Sequence, residues 1–426
     1  MLTTNKVGIT GMGIVSSIGD DVSAFCNSLR NGESGIKQMA SIKEPKLSVD
    51  IAAEIQNFSF LEFLNRFQNI PAEKLNNARR LGQRAPFAIQ TSIISAIEAW
   101  HNARLFGLKL SSERMGLIVA GQNGTQNYQY DLIPKFRENP EYLSPRYALE
   151  FLETNQVGIL SELFDIMGEG FVVGGASATG NVGIIKGYQS VLCGLVDVCL
   201  VVGIVADLSP MDIQGFINIG AMGGKKYANQ PDKACRPFDT QHEGFIYGQA
   251  CACVILESES SASKRGISFQ AEIKGGSLNL DGNSSANPNV HGEEKAMISA
   301  LKKTGLSASD VDYINTHGSS SPLGDKTEAE AIYNVFGNHT SNVWLNATKG
   351  LTGHCLYSAG MVEIIATVTQ MREGFIHPNK NLEEAIHKDL KFCGAEAINH
   401  RIDVAMSNSF GFGGINTSVV LKRASD

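Results

Sequence analysis

The sequence predicts a layered α/β fold made of two related halves, and two observations carry this prediction. Strand patterns and helix patterns alternate along most of the 426 residues, as they do in layered α/β proteins. The same order of elements, namely strand, helix, strand, strand–turn–helix and strand, occurs in residues 1–265 and again in residues 266–426. Because no residue-level repeat accompanies this order, the division into two halves rests on the order of elements alone.

Four segments near the start of the first half have the patterns of regular elements. They are a strand at 6–19, a helix at 20–32, a helix at 84–100 and a buried strand at 114–124. In the first of these helices Val22, Phe25 and Leu29 share one face, and a glycine follows the last turn. The polar and aromatic residues 125–165 and the loop-rich residues 209–240 are predicted insertions.

The segment 169–208 predicts a strand, a sharp glycine-rich turn, a helix and a second strand. The helix is apolar on nearly all sides, and helices of this kind are buried. Its apolar residues are Val182, Ile184, Ile185, Tyr188, Val191 and Leu192. Ser177 lies in the turn, just before the helix.

The second half contains a similar series of patterns. They are a strand with a turn at 268–282, an amphipathic helix at 292–306, a strand, loop and helix at 311–336, a loop with a long helix at 347–374, and two strands around a glycine-rich bend at 403–423. These segments complete the alternation on which the α/β prediction depends.

Composition excludes several classes of protein. Acidic residues outnumber basic ones by 43 to 36, giving a net charge of −7, whereas a nucleic-acid binder usually has a basic surface. The eight cysteines form no CxxC pair and are predicted to be buried free thiols in a reducing compartment. The sequence shows no signal-peptide pattern and no apolar run of membrane-spanning length. We therefore expect a cytoplasmic protein.

Three glycine-flanked turns hold residues that could perform chemistry. Ser177 lies in GGASATG, His317 in NTHGSSS, and Lys349 with His354 in TKGLTGH. Each residue alone also fits a structural role: Ser177 could cap a helix, His317 could be an ordinary loop residue, and His354 could be a core histidine at a helix start. The local sequence leaves these alternatives open.

Taken together, these turns and other motifs resemble the β-ketoacyl synthase family of the thiolase superfamily. The motifs are VGITGMGIVSSIG, CRPFDTQHEGFIYGQA, HGSSSPLGDKTEAEAI, TKGLTGHCLYSAGMVE and NSFGFGGIN. The resemblance extends over almost the whole chain. It implies a duplicated thiolase-like fold with five αβαβα layers, a homodimer, and a tunnel for acyl groups on the phosphopantetheine of acyl carrier protein. It implies no further cofactor and no metal site.

The resemblance also assigns roles to positions. The family's catalytic cysteine falls on Ser177, its histidines on His317 and His354, and its lysine on Lys349. Substrate-binding roles fall on Ser319, Ser321, Phe410 and the gating Phe412, and supporting roles on Glu363 and Asn416.

Serine at position 177 is the main departure from the family pattern. A condensing synthase needs a thiolate, and a serine hydroxyl without a general base is a poor nucleophile. GGASAT replaces the family's TACAS-like stretch as a block. This serine resembles the decarboxylating ketosynthase-like proteins of polyketide β-branching cassettes, which act beside an HMG-CoA-synthase-like enzyme.

The resemblance to these proteins implies decarboxylation of malonyl-acyl carrier protein to acetyl-acyl carrier protein. His317 and His354 would each donate an Nε2–H to the thioester enolate, with Lys349 tuning the local charge. Two alternatives remain. One is a condensing synthase in which serine replaces an original cysteine, and the other is a non-catalytic partner like a chain-length factor, although such partners typically lose the histidines.

Overall fold

The computed structural model describes residues 6–40, 47–108 and 110–424. The strands are β1 (Val7–Ser16), β2 (Lys37–Gln38), β3 (Ile51–Ala52), β4 (Met115–Ala120), β5 (Gly170–Val173), β6 (Val198–Gly203), β7 (Ala250–Ser258), β8 (Ala271–Leu280), β9 (Tyr313–Asn315), β10 (Trp344–Asn346), β11 (Phe375–Ile376), β12 (Ile398–Asn399), β13 (Val404–Gly411) and β14 (Ile415–Arg423). The helices are α1 (Val22–Asn31), α2 (Phe60–Asn65), α3 (Ala72–Gly82), α4 (Phe87–Asn102), α5 (Gln126–Glu138), α6 (Tyr147–Glu150), α7 (Thr154–Phe164), α8 (Thr179–Leu192), α9 (Pro210–Asn218), α10 (Glu259–Lys264), α11 (Val290–Thr304), α12 (Pro322–Phe336), α13 (Lys349–Thr352) and α14 (Ala359–Glu373).

Ten of the described strands form one mixed sheet in the order β10-β9-β13-β14-β8-β1-β7-β6-β4-β5. Each half contributes five strands to this sheet. When these five are numbered by their order in the chain, both halves read third, second, fourth, fifth and first from the outer edge inward. The directions also match, because the three outer strands of each half are parallel and the next two are antiparallel. The predicted duplicated α/β fold is therefore confirmed. Division of the halves at residue 265 stays a prediction, and it falls between α10 and β8.

Helices pack on the outer sides of the two halves of this sheet, and two further helices form a layer between the halves. α8 and α14 pack against each other and against strands of both halves of the sheet. On the outer sides, α4 packs on β1 and β7, while α11 packs on β8 and β14. The result is the expected sequence of five layers, αβαβα.

The two central helices approach each other closely through glycine. A Cβ on Gly180 of α8 would lie 2.4 Å from the backbone nitrogen of Met361 in α14. A Cβ on Gly360 would lie 2.8 Å from the backbone nitrogen of Asn181. Such distances leave no room for a side chain, so the N-terminal ends of α8 and α14 lie side by side. This arrangement brings the turns that precede the two helices together.

The structure refines the prediction for two segments. Residues 125–165 are not only a covering insertion, because α7 buries Ile159, Leu160 and Leu163 in the core. The helix predicted to be apolar on nearly all sides is buried except near its end, where Leu192 is 39% exposed before an exposed turn.

All eight cysteines are free, but the prediction that all are buried is wrong for two of them, because Cys193 is exposed in the turn after α8 and Cys26 is only partly buried. Among the described residues, no helix is both long enough and apolar enough to cross a membrane.

We predict that Gly180→Ala lowers the free energy of unfolding by about 1–3 kcal/mol, since the added methyl group would force α8 and α14 apart. The matched control is Gly158→Ala in α7, where a Cβ would meet nothing within 4 Å. That change should be neutral or stabilising by up to about 1 kcal/mol, because alanine favours helix. Urea unfolding measures both variants, and equal stability of the two would contradict the close helix contact.

Candidate active site

Ser177 lies in a tightly held turn between β5 and α8. Ala176 before it has a φ of +47°, a left-handed backbone that non-glycine residues adopt mainly where the surrounding structure imposes it. Gly411 packs against this turn, and a Cβ there would lie 2.5 Å from the carbonyl oxygen of Gly175. The Ser409 hydroxyl donates a hydrogen bond to the Ser177 carbonyl at 3.0 Å. The position of Ser177 is therefore fixed from both sides.

His354 presents a defined hydrogen-bond donor to Ser177. The ring is only 2% exposed, and its Nδ1 accepts the backbone N–H of Leu356 at 3.1 Å. A neutral ring whose Nδ1 accepts must carry its proton on Nε2. That Nε2 lies 3.0 Å from the Ser177 hydroxyl oxygen, so His354 donates to Ser177. It therefore cannot act from this position as the base that activates the serine.

The hydrogen bonds of Ser177 show whether it caps a helix or faces the other candidate residues. The 3₁₀ turn 176–178 and α8 both begin without a side-chain capping hydrogen bond. Ser177 is consequently not a helix cap, and its hydroxyl contacts His354 instead.

His317 is held by backbone contacts in the loop between β9 and α12. The backbone N–H of His317 donates to Oε1 of Glu328, and that of Gly318 donates to Oε2, both at 2.8 Å. The ring centroid of His317 lies 5.5 Å from that of His354, with the planes 80° apart. On its other side the ring of Phe410 lies 5.8 Å away. These contacts fix both the loop and the ring.

Lys349 lies behind His317 and uses all three of its protons. The side chain is almost fully buried, and its Nζ forms hydrogen bonds to the His317 carbonyl and to Glu363. Its third neighbour is His317 Nδ1, at 3.4 Å. An ammonium group has three donors and no acceptor, so His317 Nδ1 accepts as well. His317 therefore carries its own proton on Nε2.

Both histidines are neutral at physiological pH. Burial, followed by the nearby charge of Lys349, lowers the pKa of His317 well below its usual value, and His354 adds to this effect. Burial and Lys349 likewise lower the pKa of His354. Burial raises the pKa of the Glu363 carboxyl, while the Lys349 charge opposes this shift. The site thus contains two neutral N–H donors in front of a buried ion pair.

The predicted substrate residues surround one cavity of about 540 Å³. Its lining includes Ser177, His317, His354, Ser319, Ser321, Phe410, Phe412 and Asn416. The hydroxyls of Ser319 and Ser321 lie 2.9 Å apart, and Phe412 is 38% exposed whereas Phe410 is buried. Lys349 and Glu363 do not line the cavity. The hydrogen bonds of Lys349 connect this ion pair to His317, which does line the cavity.

Sequence reasoning missed several residues that position the site. Glu328 holds the His317 loop, and Asp325 accepts the N–H of Ser320 at 3.0 Å. These acids are three residues apart and therefore share one helix face, which is a signal that the sequence offered. Phe245, whose ring lies 5.2 Å from that of His354, had no such signal.

Two family models match the chain. The model of the β-ketoacyl synthase N-terminal domain matches residues 4–262, and that of the C-terminal domain matches residues 270–383. The chain belongs to the β-ketoacyl synthase family. The resemblance that the motifs indicated is thereby confirmed.

The names of curated relatives of this chain give two different activities. The chain is 36% identical to the polyketide biosynthesis malonyl-ACP decarboxylase PksF of Bacillus subtilis (strain 168), over 98% of this chain and 96% of that protein. It is 31% identical to 3-oxoacyl-[acyl-carrier-protein] synthase 2 of Coxiella burnetii, over 99% of each chain.

Solved structures show the same fold. The ishigamide ketosynthase/chain length factor matches 99% of this chain and 100% of its own with a TM-score of 0.87 and 25% identity. The type II polyketide ketosynthase AntDE, in complex with its acyl-carrier protein AntF, matches the same shares with a TM-score of 0.85 and 22% identity. These likenesses support the thiolase-like architecture.

We predict that the rings of His317 and His354 remain neutral, with the proton on Nε2, as the pH falls from 8 to 6. The imidazoles of the unfolded chain bind protons near pH 6.5, whereas these folded rings do not. The unfolded state then binds more protons, so the contribution of these rings to stability is lost as the pH falls below about 6.5. Ring-nitrogen NMR with ¹⁵N-histidine measures the tautomers, and protonation of either ring at or above its usual pKa would contradict the assignment.

Proposed function

We propose that this synthase decarboxylates a malonyl group on acyl carrier protein and releases an acetyl group on the same carrier. One observation carries the proposal: the Nδ1 atoms of His317 and His354 both accept hydrogen bonds, so both rings offer Nε2–H at the cavity. Two neighbouring N–H donors suit an oxygen that gains negative charge during the reaction.

The reaction breaks the bond between the malonyl α-carbon and its carboxylate. Carbon dioxide leaves, and the electron pair moves through the α-carbon onto the thioester oxygen to give an enolate. His317 donates its Nε2–H to that oxygen, and His354 does the same once the substrate oxygen replaces the Ser177 hydroxyl as the acceptor of its single Nε2–H. A proton then adds to the α-carbon, forming the acetyl thioester.

Ser177 separates this reaction from condensation. Its hydroxyl accepts a hydrogen bond from His354, and within the described part of the chain no base is placed to remove its proton, so we propose that it does not take up an acyl primer. Without a primer bound to the enzyme, the enolate has no second thioester to attack. Protonation is then the remaining outcome.

We propose that the substrate enters on a phosphopantetheine arm. The paired hydroxyls of Ser319 and Ser321 are suited to contact this arm, and the half-exposed Phe412 is suited to close over it. No other cofactor is needed. We further propose that the protein acts as a homodimer and supplies acetyl units for polyketide β-branching beside an HMG-CoA-synthase-like enzyme. The name of the Bacillus subtilis relative, a polyketide biosynthesis malonyl-ACP decarboxylase, supports the carrier and the pathway class.

A condensing synthase is the second candidate, because the Coxiella burnetii relative is a 3-oxoacyl-[acyl-carrier-protein] synthase. For this candidate, Ser177 would be a replacement for cysteine. Such an enzyme would require a primer, whereas the proposed decarboxylase requires only malonyl-carrier protein. A non-catalytic partner would convert neither.

We predict that His317→Ala lowers the rate of acetyl-carrier protein formation by about 10²–10³-fold, the usual effect of removing one oxyanion donor. Ser177→Ala should retain part of the activity, since the hydroxyl is not the group that holds the enolate. Intact mass spectrometry of malonyl-loaded carrier protein, with no primer present, measures both rates. Equal loss in the two variants would contradict the separate roles, and unchanged malonyl-carrier protein with the wild type would refute the decarboxylase proposal.

A further inference from the structure

Glu293 is a buried carboxyl group in the cavity wall that the mechanism above does not use. It lies in the first turn of α11, is 1% exposed, and lines the same cavity as Ser177 and His317. Its Oε2 is buried and has no hydrogen-bond partner among the described residues. A buried polar atom is normally paired, so this one calls for a functional explanation.

Other carboxyl groups surround Glu293. Asp281 lies against the preceding residue, because a Cβ on Gly292 would be 1.7 Å from Asp281 Oδ1. Burial, followed by the charges of Glu328, Asp281 and Asp325, raises the pKa of Glu293 well above its usual value. The three charges with the largest effect on its pKa are therefore all negative. Burial and these neighbouring carboxyl groups therefore favour the protonated, neutral form of Glu293, a form that buried acids in enzyme cavities can adopt.

The proposed reaction needs a proton donor, and the groups already placed serve this purpose poorly. A neutral imidazole gives up its N–H only with difficulty, and both rings are needed to hold the enolate oxygen. The three protons of Lys349 are engaged behind His317. A serine hydroxyl would be left as an alkoxide with no base nearby. A carboxylic acid is a stronger acid than any of these groups.

We propose that Glu293 is the acid that protonates the α-carbon of the enolate, an assignment that rests on the proposed decarboxylase function. The O–H bond of Glu293 breaks as the new C–H bond of the acetyl group forms, and a carboxylate remains. Its position in the first turn of α11 stabilises that carboxylate through the helix dipole. Water then returns a proton to Glu293 past the half-buried Asp281, which Asn416 holds at 2.7 Å.

The test separates protonation from decarboxylation by isotope exchange. Malonyl-loaded carrier protein is incubated with enzyme in the presence of ¹³C-labelled carbon dioxide, and both acetyl formation and label in the remaining malonyl group are followed by mass spectrometry. An enolate that waits for its proton can recombine with labelled carbon dioxide. Glu293→Gln keeps the shape of the side chain but cannot act as this acid.

We expect Glu293→Gln to slow acetyl formation by about 100-fold or more, within the usual contribution of general acid catalysis, and to increase label in the malonyl group above the wild-type level. Glu293→Asp, which keeps an acid, should restore part of the rate. The matched control is Glu294→Gln on the next residue, where the carboxylate contacts His291 at 3.1 Å and Asn334 at 2.7 Å outside the cavity. This control should behave as wild type.

Two results would overturn the assignment. A normal rate in Glu293→Gln would mean that another group or water supplies the proton. Loss of acetyl formation without increased label, in both Glu293→Gln and Glu293→Asp, would mean that Glu293 supports the structure and not the protonation step. Failure of the wild type to form acetyl-carrier protein would instead refute the function on which the assignment depends.

Discussion

The buried ammonium of Lys349 is the interaction on which the rest of the site depends. It joins the His317 loop to Glu363 on α14, and its charge helps to keep both histidines neutral. Removing one partner of such a buried pair typically costs about 3–5 kcal/mol, because the other charge stays behind without compensation. The ion pair therefore defines the positions and protonation states of the donors without itself contacting the cavity.

The close packing of α8 against α14 explains why the chemistry lies where it does. Ser177 and His354 are distant in sequence, but both lie in turns that lead into these two helices. Since glycine allows the helices to approach, the two turns meet and form the 3.0 Å contact between His354 and Ser177. The duplicated topology thus creates the site at the junction of its halves, and a hydroxyl at position 177 directs the proposed chemistry toward protonation instead of condensation.

Much of this arrangement could be predicted from the sequence, because glycine-flanked turns marked Ser177, His317 and His354 as candidates and the family motifs then assigned them to one site. The Nε2–H tautomer of His354 was implied by the family resemblance but could not be worked out from the residues themselves, since it depends on the N–H of Leu356 in a turn with a φ of +49°. The position of Glu293 was also missed. Within an amphipathic helix an acidic residue is usually exposed, and only the packing of α11 against the cavity shows that this one is buried.

In the structure Ser177 accepts a hydrogen bond from His354, and the proposed function requires that it is not a nucleophile. The most direct measurement is intact mass spectrometry of the enzyme after incubation with an acyl-loaded carrier protein. Ser177→Cys serves as the positive control, because a thiolate at this helix N-terminus can be acylated. We expect an acyl adduct on Ser177→Cys and none on the wild type. An acyl adduct on Ser177 of the wild-type enzyme would contradict this expectation.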